Sequence, residues 1–178
     1  MTIEDNDNTY VIVVDYKTGT IEDSINECKY GLHLQLPIYI ILSKYSGLKN
    51  VKVTGFYYQT LLQNIVKADN EEDFIKNKKD YLKLKGYTLD RTYSVIPFDK
   101  NEEISKVIKS MSITKDGVYG YHSKVLTENE MTRLEKLVED KIKQAGKSII
   151  NGDFAINPIM IAENNYSCKY CKFRDLCF

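Results

Sequence analysis

The most informative pattern in the chain is an apolar run that ends in charged residues. Residues 10–17 read YVIVVDYK, which predicts a buried strand because apolar and aromatic positions follow one another without a break. Side chains alternate between the two faces of a strand, so Asp15 and Lys17 are expected to point the same way. One face carries Val11, Val13, Asp15 and Lys17, and the other carries Tyr10, Ile12, Val14 and Tyr16.

The residues before this strand predict a hairpin. The stretch EDNDN at 4–8 has the composition of a polar turn, and MTI before it is typical of the last residues of a partner strand. In that register the residues opposite Asp15 would lie upstream of Met1. We therefore expect a domain that is truncated at its N-terminus.

A helix and a second strand follow. The segment GLHLQLPIYIILSKYSG has helical length between Gly31 and Gly47, and a helix that begins near Leu34 places Pro37 in its first turn, where proline is tolerated. Gln35 and Tyr39 are then four residues apart on one helix face. The next stretch, VKVTGFYY at 51–58, reads as a strand, and two strands around a helix indicate an α/β sheet.

The rest of the chain predicts two helices and a tail. Residues 69–85 form a charged helix, and GYTLD and YSVIPF follow as short extended pieces. The stretch TENE at 127–130 is a capping box that opens a helix, which Gly152 ends. The tail at 157–178 carries cysteines. The last helix has an apolar stripe of Met131, Leu134, Val138, Ile142, Ala145 and Ile149.

The composition is that of an ordinary globular domain. The chain has 178 residues, 43% of them hydrophobic and 28% charged, and its 25 basic residues balance its 25 acidic ones. This composition predicts a single domain over 1–178, and the balance of charge predicts that any nucleic acid is held by a local patch. The absence of a long apolar run and of a basic, apolar leader predicts a cytoplasmic protein without a membrane partner.

The pair Asp15 and Lys17 suits phosphodiester hydrolysis. Such a reaction needs a carboxylate to hold a metal and a group that positions or deprotonates water. Mg²⁺ prefers oxygen ligands, so the carbonyl of Tyr16 is a further candidate ligand. The alternative is an ion pair at an exposed strand end, because D-x-K also occurs by chance.

Three of the four cysteines lie in the final stretch CKYCKFRDLCF. Thiolates at the spacing of Cys168, Cys171 and Cys177 suit an iron–sulfur cluster or zinc. For Cys28 we favour a free thiol over a fourth ligand. The two histidines, His33 and His122, have no metal-ligand partners nearby in the sequence, and we interpret both as ordinary polar residues.

The strand VIVVDYKTG followed by GLHLQLPIY resembles the motif series of the RecB-like branch of the PD-(D/E)xK nuclease superfamily, in which a D-Y-K-T strand precedes a Q-x-x-x-Y helix. This resemblance implies a restriction-endonuclease-like α/β fold, a mixed sheet flanked by helices, and Mg²⁺ or Mn²⁺ as cofactor. Asp15 would be a metal ligand and Lys17 the catalytic lysine. Gln35 and Tyr39 would contact DNA or support the site; the alternative is a polar edge on a core helix.

The tail INPIMIAENNYSCKYCKFRDLCF resembles the C-terminus of the B subunit of the AddAB-type ATP-dependent helicase–nuclease. The resemblance implies a metal-dependent DNA exonuclease that processes double-strand breaks for recombination, with the A subunit of the same helicase–nuclease as its partner. It also implies that Cys168, Cys171 and Cys177 ligate a [4Fe–4S] cluster whose fourth ligand lies far upstream.

This chain departs from the family pattern at its start. Family members carry a histidine and a second aspartate ahead of the D-Y-K strand, and Glu4, Asp5 and Asp7 are the nearby acidic residues. We therefore expect little cleavage by this chain alone, and a cluster that is absent or replaced by zinc. The competing hypothesis is a scaffold that binds DNA or the helicase through a nuclease-like fold and a C-terminal metal knot, without cutting.

Overall fold

A mixed five-stranded sheet forms the centre of the protein. The computed structural model describes residues 1–5, 7–61, 67–90, 104–156, 158–161, 164–165, 168–169 and 171–176. The sheet has the order β1-β2-β3-β4-β5, in which β1 and β2 are antiparallel, β2 and β3 parallel, β3 and β4 antiparallel, and β4 and β5 parallel. Its strands are β1 (Thr2–Asp5), β2 (Asn8–Lys17), β3 (Val51–Thr60), β4 (Lys85–Leu89) and β5 (Val125–Leu126).

Helix α1 (Gln35–Lys44) connects the parallel strands β2 and β3, as a parallel pair requires. Pro37 is the third residue of α1, where its missing N–H has no partner to lose. The predicted hairpin, the D-Y-K strand, the helix and the mixed α/β sheet are confirmed. The register pairs Thr2 with Val11, and Met1 exchanges backbone hydrogen bonds with Ile12.

A bulge in β3 aligns its aromatic residues with the functional face of β2. The register steps from Val11–Val53 to Ile12–Gly55, which leaves Thr54 as an extra residue. Val53 and Phe56 therefore face the same side although their numbers differ in parity. This side packs against α1 and α3 (Glu128–Asn151) in a core of Cys28, Leu36, Ile40, Ile41, Val53, Phe56, Tyr58, Leu126, Met131, Leu134 and Val138.

The predicted faces of β2 are confirmed by the two cores. Val13 packs against the α1 core, whereas Ile12 and Val14 pack on the opposite face with Tyr57 and Met111. Asp15 and Lys17 follow Val13 along the strand, so they extend the α1 face beyond the point where the apolar core ends.

Helix α3 begins at the predicted capping box, in which Thr127 and Glu130 bond reciprocally, and ends at Gly152 with φ of 67°. The predicted apolar stripe is only half right. Met131, Leu134 and Val138 are buried, but Ile142 and Ile149 are 43% and 64% exposed. The described residues therefore cover the first half of this stripe but leave the second half exposed. No helix in the described ranges has both the length and the apolar character that a membrane crossing requires.

In the middle of the chain the charged helix differs from prediction at both of its ends. The charged helix α2 (Glu71–Tyr81) is shorter than the predicted 69–85, because Lys85 already belongs to β4. The GYTLD prediction is confirmed by β4, and YSVIPF lies outside the described residues. The tail contains a short pair of strands, β6 (Met160–Ile161) and β7 (Asn164–Asn165).

Gly86 is expected to be indispensable for the pairing of β3 and β4. A Cβ atom at this position would lie 2.1 Å from the carbonyl oxygen of Phe56 and 2.8 Å from the Cα of Tyr57. Because both are backbone atoms, Gly86→Ala should lower the free energy of unfolding by about 2–4 kcal/mol, measured by urea denaturation.

The matched control is Gly146→Ala in α3, where a Cβ has no atom within 4 Å. Alanine should there raise stability by about 0.5–1 kcal/mol. Equal effects of the two variants would contradict the packing argument.

Candidate active site

The predicted site residues meet where β2 ends beside the first turn of α1. The Lys17 Nζ lies 2.9 Å from the Asp15 Oδ2, and the two side chains are 33% and 15% exposed. Lys17 also donates to the Oε1 of Gln35. A carboxylate, an ammonium and an amide from two elements are thus held in direct contact.

Gln35 connects the strand to the helix. Its Nε2 donates to the Asp15 Oδ1 at 3.1 Å and to the Tyr39 hydroxyl at 3.0 Å. Because Gln35 is the first residue of α1, its side chain reaches the end of β2 without crossing the core. All four predicted side chains therefore form one hydrogen-bonded group.

Tyr58 lies beside this group and was not predicted from the sequence. It pairs with Asp15 in the β2–β3 register, and the Lys17 Nζ lies 5.2 Å from the centroid of its ring. Burial raises the pKa of the Tyr58 phenol, and the Asp15 carboxylate raises it further. The uncharged Tyr58 ring therefore lies beside the Lys17 ammonium and restricts its position. Its signal in the sequence was hidden because the bulge at Thr54 shifts the alternation of β3.

The Asp15 carboxylate fits a divalent cation. Its Oδ2 is buried, and no described residue gives it a bond with hydrogen-bond geometry, although the Lys17 ammonium is close enough for an ion pair. Burying an anionic oxygen without a hydrogen bond is costly, and a hard cation would satisfy it.

The backbone carbonyl of Tyr16 points to the opposite side of β2 from the carbonyl of Lys17. The carbonyl of Lys17 accepts from Leu61 on the β3 side, whereas Ile12 exchanges bonds with Met1 on the β1 side. Bonding directions alternate along a strand, so the Tyr16 carbonyl faces the β1 side, past the last described pair. It is therefore available as the further oxygen ligand that the sequence suggested.

The acidic residues of the β1–β2 hairpin do not complete this site. Glu4 pairs with Thr9 and Asp5 with Asn8, at the opposite end of β2. Thr9 and Asp15 are six residues apart, which is about 20 Å along a strand. Glu4 and Asp5 therefore lie too far from Asp15 to share a metal ion with it.

His33 has carboxylate partners that its sequence neighbourhood did not show. Its Nε2 lies 2.9 Å from the Glu27 Oε2 and 3.3 Å from the Glu22 Oε2. Among the described residues, Glu22, Glu27 and His33 form the one cluster of His, Cys, Asp or Glu side chains close enough together to hold a metal ion. The interpretation of His33 as a histidine without such partners is wrong. His122 stacks edge-on with Tyr121 instead.

Cys28 is buried in the α1 core and forms no disulfide. Its Sγ lies 3.8 Å from the carbonyl oxygen of His33, and burial raises the pKa of the thiol to about 11. Among the described residues Cys28 is a free cysteine, and its role as a thiol rather than a cluster ligand stays a prediction. In the tail, Cys168 is buried and Cys171 is exposed, and the N–H of Cys171 donates to the carbonyl of Cys168. Cys177 lies outside the described residues.

Comparison with known proteins agrees with this geometry. The B subunit of the ATP-dependent helicase/deoxyribonuclease of Caldanaerobacter subterraneus subsp. tengcongensis is 32% identical over 98% of this chain, and that of Alkaliphilus oremlandii is 30% identical over 98%. The corresponding protein of Listeria innocua serovar 6a is 28% identical over 98%. This chain spans 16% of the length of each of these relatives.

The family model of the PD-(D/E)XK nuclease superfamily matches residues 2–178, nearly the whole chain. The match includes the strand that carries Asp15 and Lys17 and the helix that carries Gln35 and Tyr39. The family model, the relatives and the mixed α/β sheet with its clustered D-x-K and Q-x-x-x-Y residues agree, and the chain belongs to the PD-(D/E)XK nuclease superfamily.

Proposed function

We propose that this chain is the metal-dependent deoxyribonuclease domain in the B subunit of a helicase–nuclease, where it acts as an exonuclease on DNA. The observation that carries the proposal is the contact of Asp15 with both Lys17 and Gln35 at the end of β2. A solvent-facing ion pair would not require a buried carboxylate oxygen or an amide that bonds both partners.

Each side chain has a distinct role in the proposed reaction. Asp15 and the Tyr16 carbonyl would hold Mg²⁺ or Mn²⁺, which would supply Lewis acidity at the phosphate. Lys17 orients the attacking water and stabilises the negative charge that develops on the phosphate oxygens. Gln35 fixes the positions of Asp15 and Lys17, and Tyr39, which is 40% exposed, contacts the DNA.

The relatives support a proposal for the biological setting. Their name couples an ATP-dependent helicase to a deoxyribonuclease. We infer that the protein works in the cytoplasm with the A subunit of the helicase–nuclease, and that it processes double-strand breaks for recombination. We also infer that Cys168, Cys171 and Cys177 ligate a [4Fe–4S] cluster in the complete protein, because their thiolates are the ligands that such clusters use.

One observation favours the scaffold alternative for the isolated chain. Among the described residues, Asp15 is the one carboxylate that contacts Lys17 and Gln35. A divalent metal usually takes further protein or phosphate oxygens as ligands. DNA binding without cleavage is therefore the second candidate function for residues 1–178 when they act alone.

The test compares this chain with a chimaera in which residues 1–178 replace the matching segment of the Caldanaerobacter protein. With Mg²⁺ and single- or double-stranded DNA, we expect little cleavage by the isolated chain and metal-dependent cleavage by the chimaera. Asp15→Asn should abolish that cleavage, because a neutral amide is a poor ligand for a hard cation. Full cleavage by the Asp15→Asn chimaera would refute the proposed function.

A further inference from the structure

A row of three side chains crosses the sheet at the end where the candidate site lies. Asp15 pairs with Tyr58 in the parallel register, and Tyr58 pairs with Lys85 in the antiparallel register. Directly paired residues project from the same face of a sheet. Phe56 and Tyr87 are the next pair of these strands on the same face, and their rings stack at 5.5 Å in the core beneath α1. Lys85 therefore shares the face of Asp15, two strands away.

No acidic side chain among the described residues forms an ion pair with Lys85. It is half-buried, and its Nζ lies 5.2 Å from the centroid of the Tyr81 ring. Within the described ranges it forms no ion pair, whereas Lys109 and Lys83 pair with Asp80, and Lys124 pairs with Asp23. An aromatic face holds an ammonium in place without neutralising its charge. Lys85 thus offers a positioned positive charge to a ligand.

The location of Lys85 in the sheet indicates which phosphate it binds. Neighbouring strands are about 4.8 Å apart, so β4 lies about 10 Å from β2. This separation places the Lys85 ammonium beside the Tyr81 ring, whereas the Lys17 ammonium already contacts Asp15. The separation suits another phosphate of the same DNA strand, since phosphate contacts orient a nucleic acid on the protein. We propose that Lys85 binds a non-scissile phosphate and aligns the DNA strand across the ends of β2, β3 and β4; this inference rests on the proposed function.

The first test measures binding of a fluorescent single-stranded oligonucleotide to the 178-residue chain, with Ca²⁺ in place of Mg²⁺. Lys85→Gln should raise Kd roughly three- to tenfold and reduce the slope of log Kobs against log salt concentration by about 0.7, the value for one phosphate on a single strand. Lys85→Arg keeps the positive charge, so it should have the Kd and the salt slope of the wild type. Lys52→Gln is the matched control, because Lys52 is an exposed lysine of β3 about 20 Å from Tyr58.

The second test identifies the phosphate. A series of oligonucleotides carries one uncharged methylphosphonate at successive positions. At one position the modification should weaken wild-type binding by the same factor as Lys85→Gln, and it should have no further effect on Lys85→Gln itself.

The outcomes separate the two proposals. Equal Kd values and salt slopes for wild type and Lys85→Gln, or additive effects at every modified position, would overturn the role of Lys85. Cleavage by the chimaera would then still support the nuclease. If the wild-type chain shows no salt-sensitive DNA binding, the role of Lys85 is overturned. If the Asp15→Asn chimaera still cleaves DNA, the nuclease proposal itself is overturned.

Discussion

Lys17→Ala in the chimaera should lower the rate of DNA cleavage by roughly 10²–10⁴-fold, the contribution of a positioned proton-transfer or water-orienting group. The structure places the Lys17 ammonium against both Asp15 and Gln35, so its removal takes away the charge nearest the proposed metal site. DNA affinity should change by less than about threefold, because most binding free energy comes from other phosphate contacts. Single-turnover cleavage and fluorescence anisotropy measure the two quantities separately.

Two controls separate a chemical role of Lys17 from a structural one. Lys52→Ala removes a lysine from the far end of the sheet and should leave cleavage unchanged. Lys17→Ala also leaves the Asp15 carboxylate without its cation, so thermal unfolding must show that the variant remains folded. A folded Lys17→Ala chimaera that cleaves at the wild-type rate would reduce Lys17 to a surface charge.

The elements that the sequence predicted best are those with local physical signals. The alternation of β2 placed Asp15 and Lys17 on one face, and the four-residue spacing of Gln35 and Tyr39 placed them on one side of α1. The capping box fixed the start of α3 for the same reason, since its bonds join residues three apart. The family resemblance then indicated which of these faces meet.

The missed features depend on pairing between distant segments. The contribution of Tyr58 depends on a bulge at Thr54, and the alignment of Lys85 depends on the register of β3 and β4. His33 meets two glutamates through the fold of the connection before α1. None of these contacts has a fixed sequence spacing, so no local pattern could have identified them.

The failed half of the α3 stripe has a different cause. Periodicity shows that Ile142 and Ile149 lie on the same helix face as Met131, but it does not show how much of that face has a packing partner. Burial needs a partner surface as well as an apolar face. An amphipathic pattern therefore predicts orientation more reliably than it predicts burial.

The second large effect concerns the cysteine tail. The isolated chain should lack an intact [4Fe–4S] cluster, and contain zinc or no metal, whereas the chimaera should contain the cluster. The reason is ligand number: Cys168, Cys171 and Cys177 supply three thiolates, and such clusters take four protein ligands. Iron and sulfide analysis and visible absorbance of anaerobically prepared protein measure the difference.

Cys28 provides the decisive control, because it is the remaining cysteine of the chain. Its thiol is fully buried among Leu36, Ile40 and Val53, and desolvation raises its pKa to about 11, so it resists the deprotonation that iron ligation requires. Cys28→Ser in the chimaera should keep the cluster, whereas Cys171→Ser should lose it. A stoichiometric cluster in the isolated chain that disappears in Cys28→Ser would show that α1 opens to release this thiol.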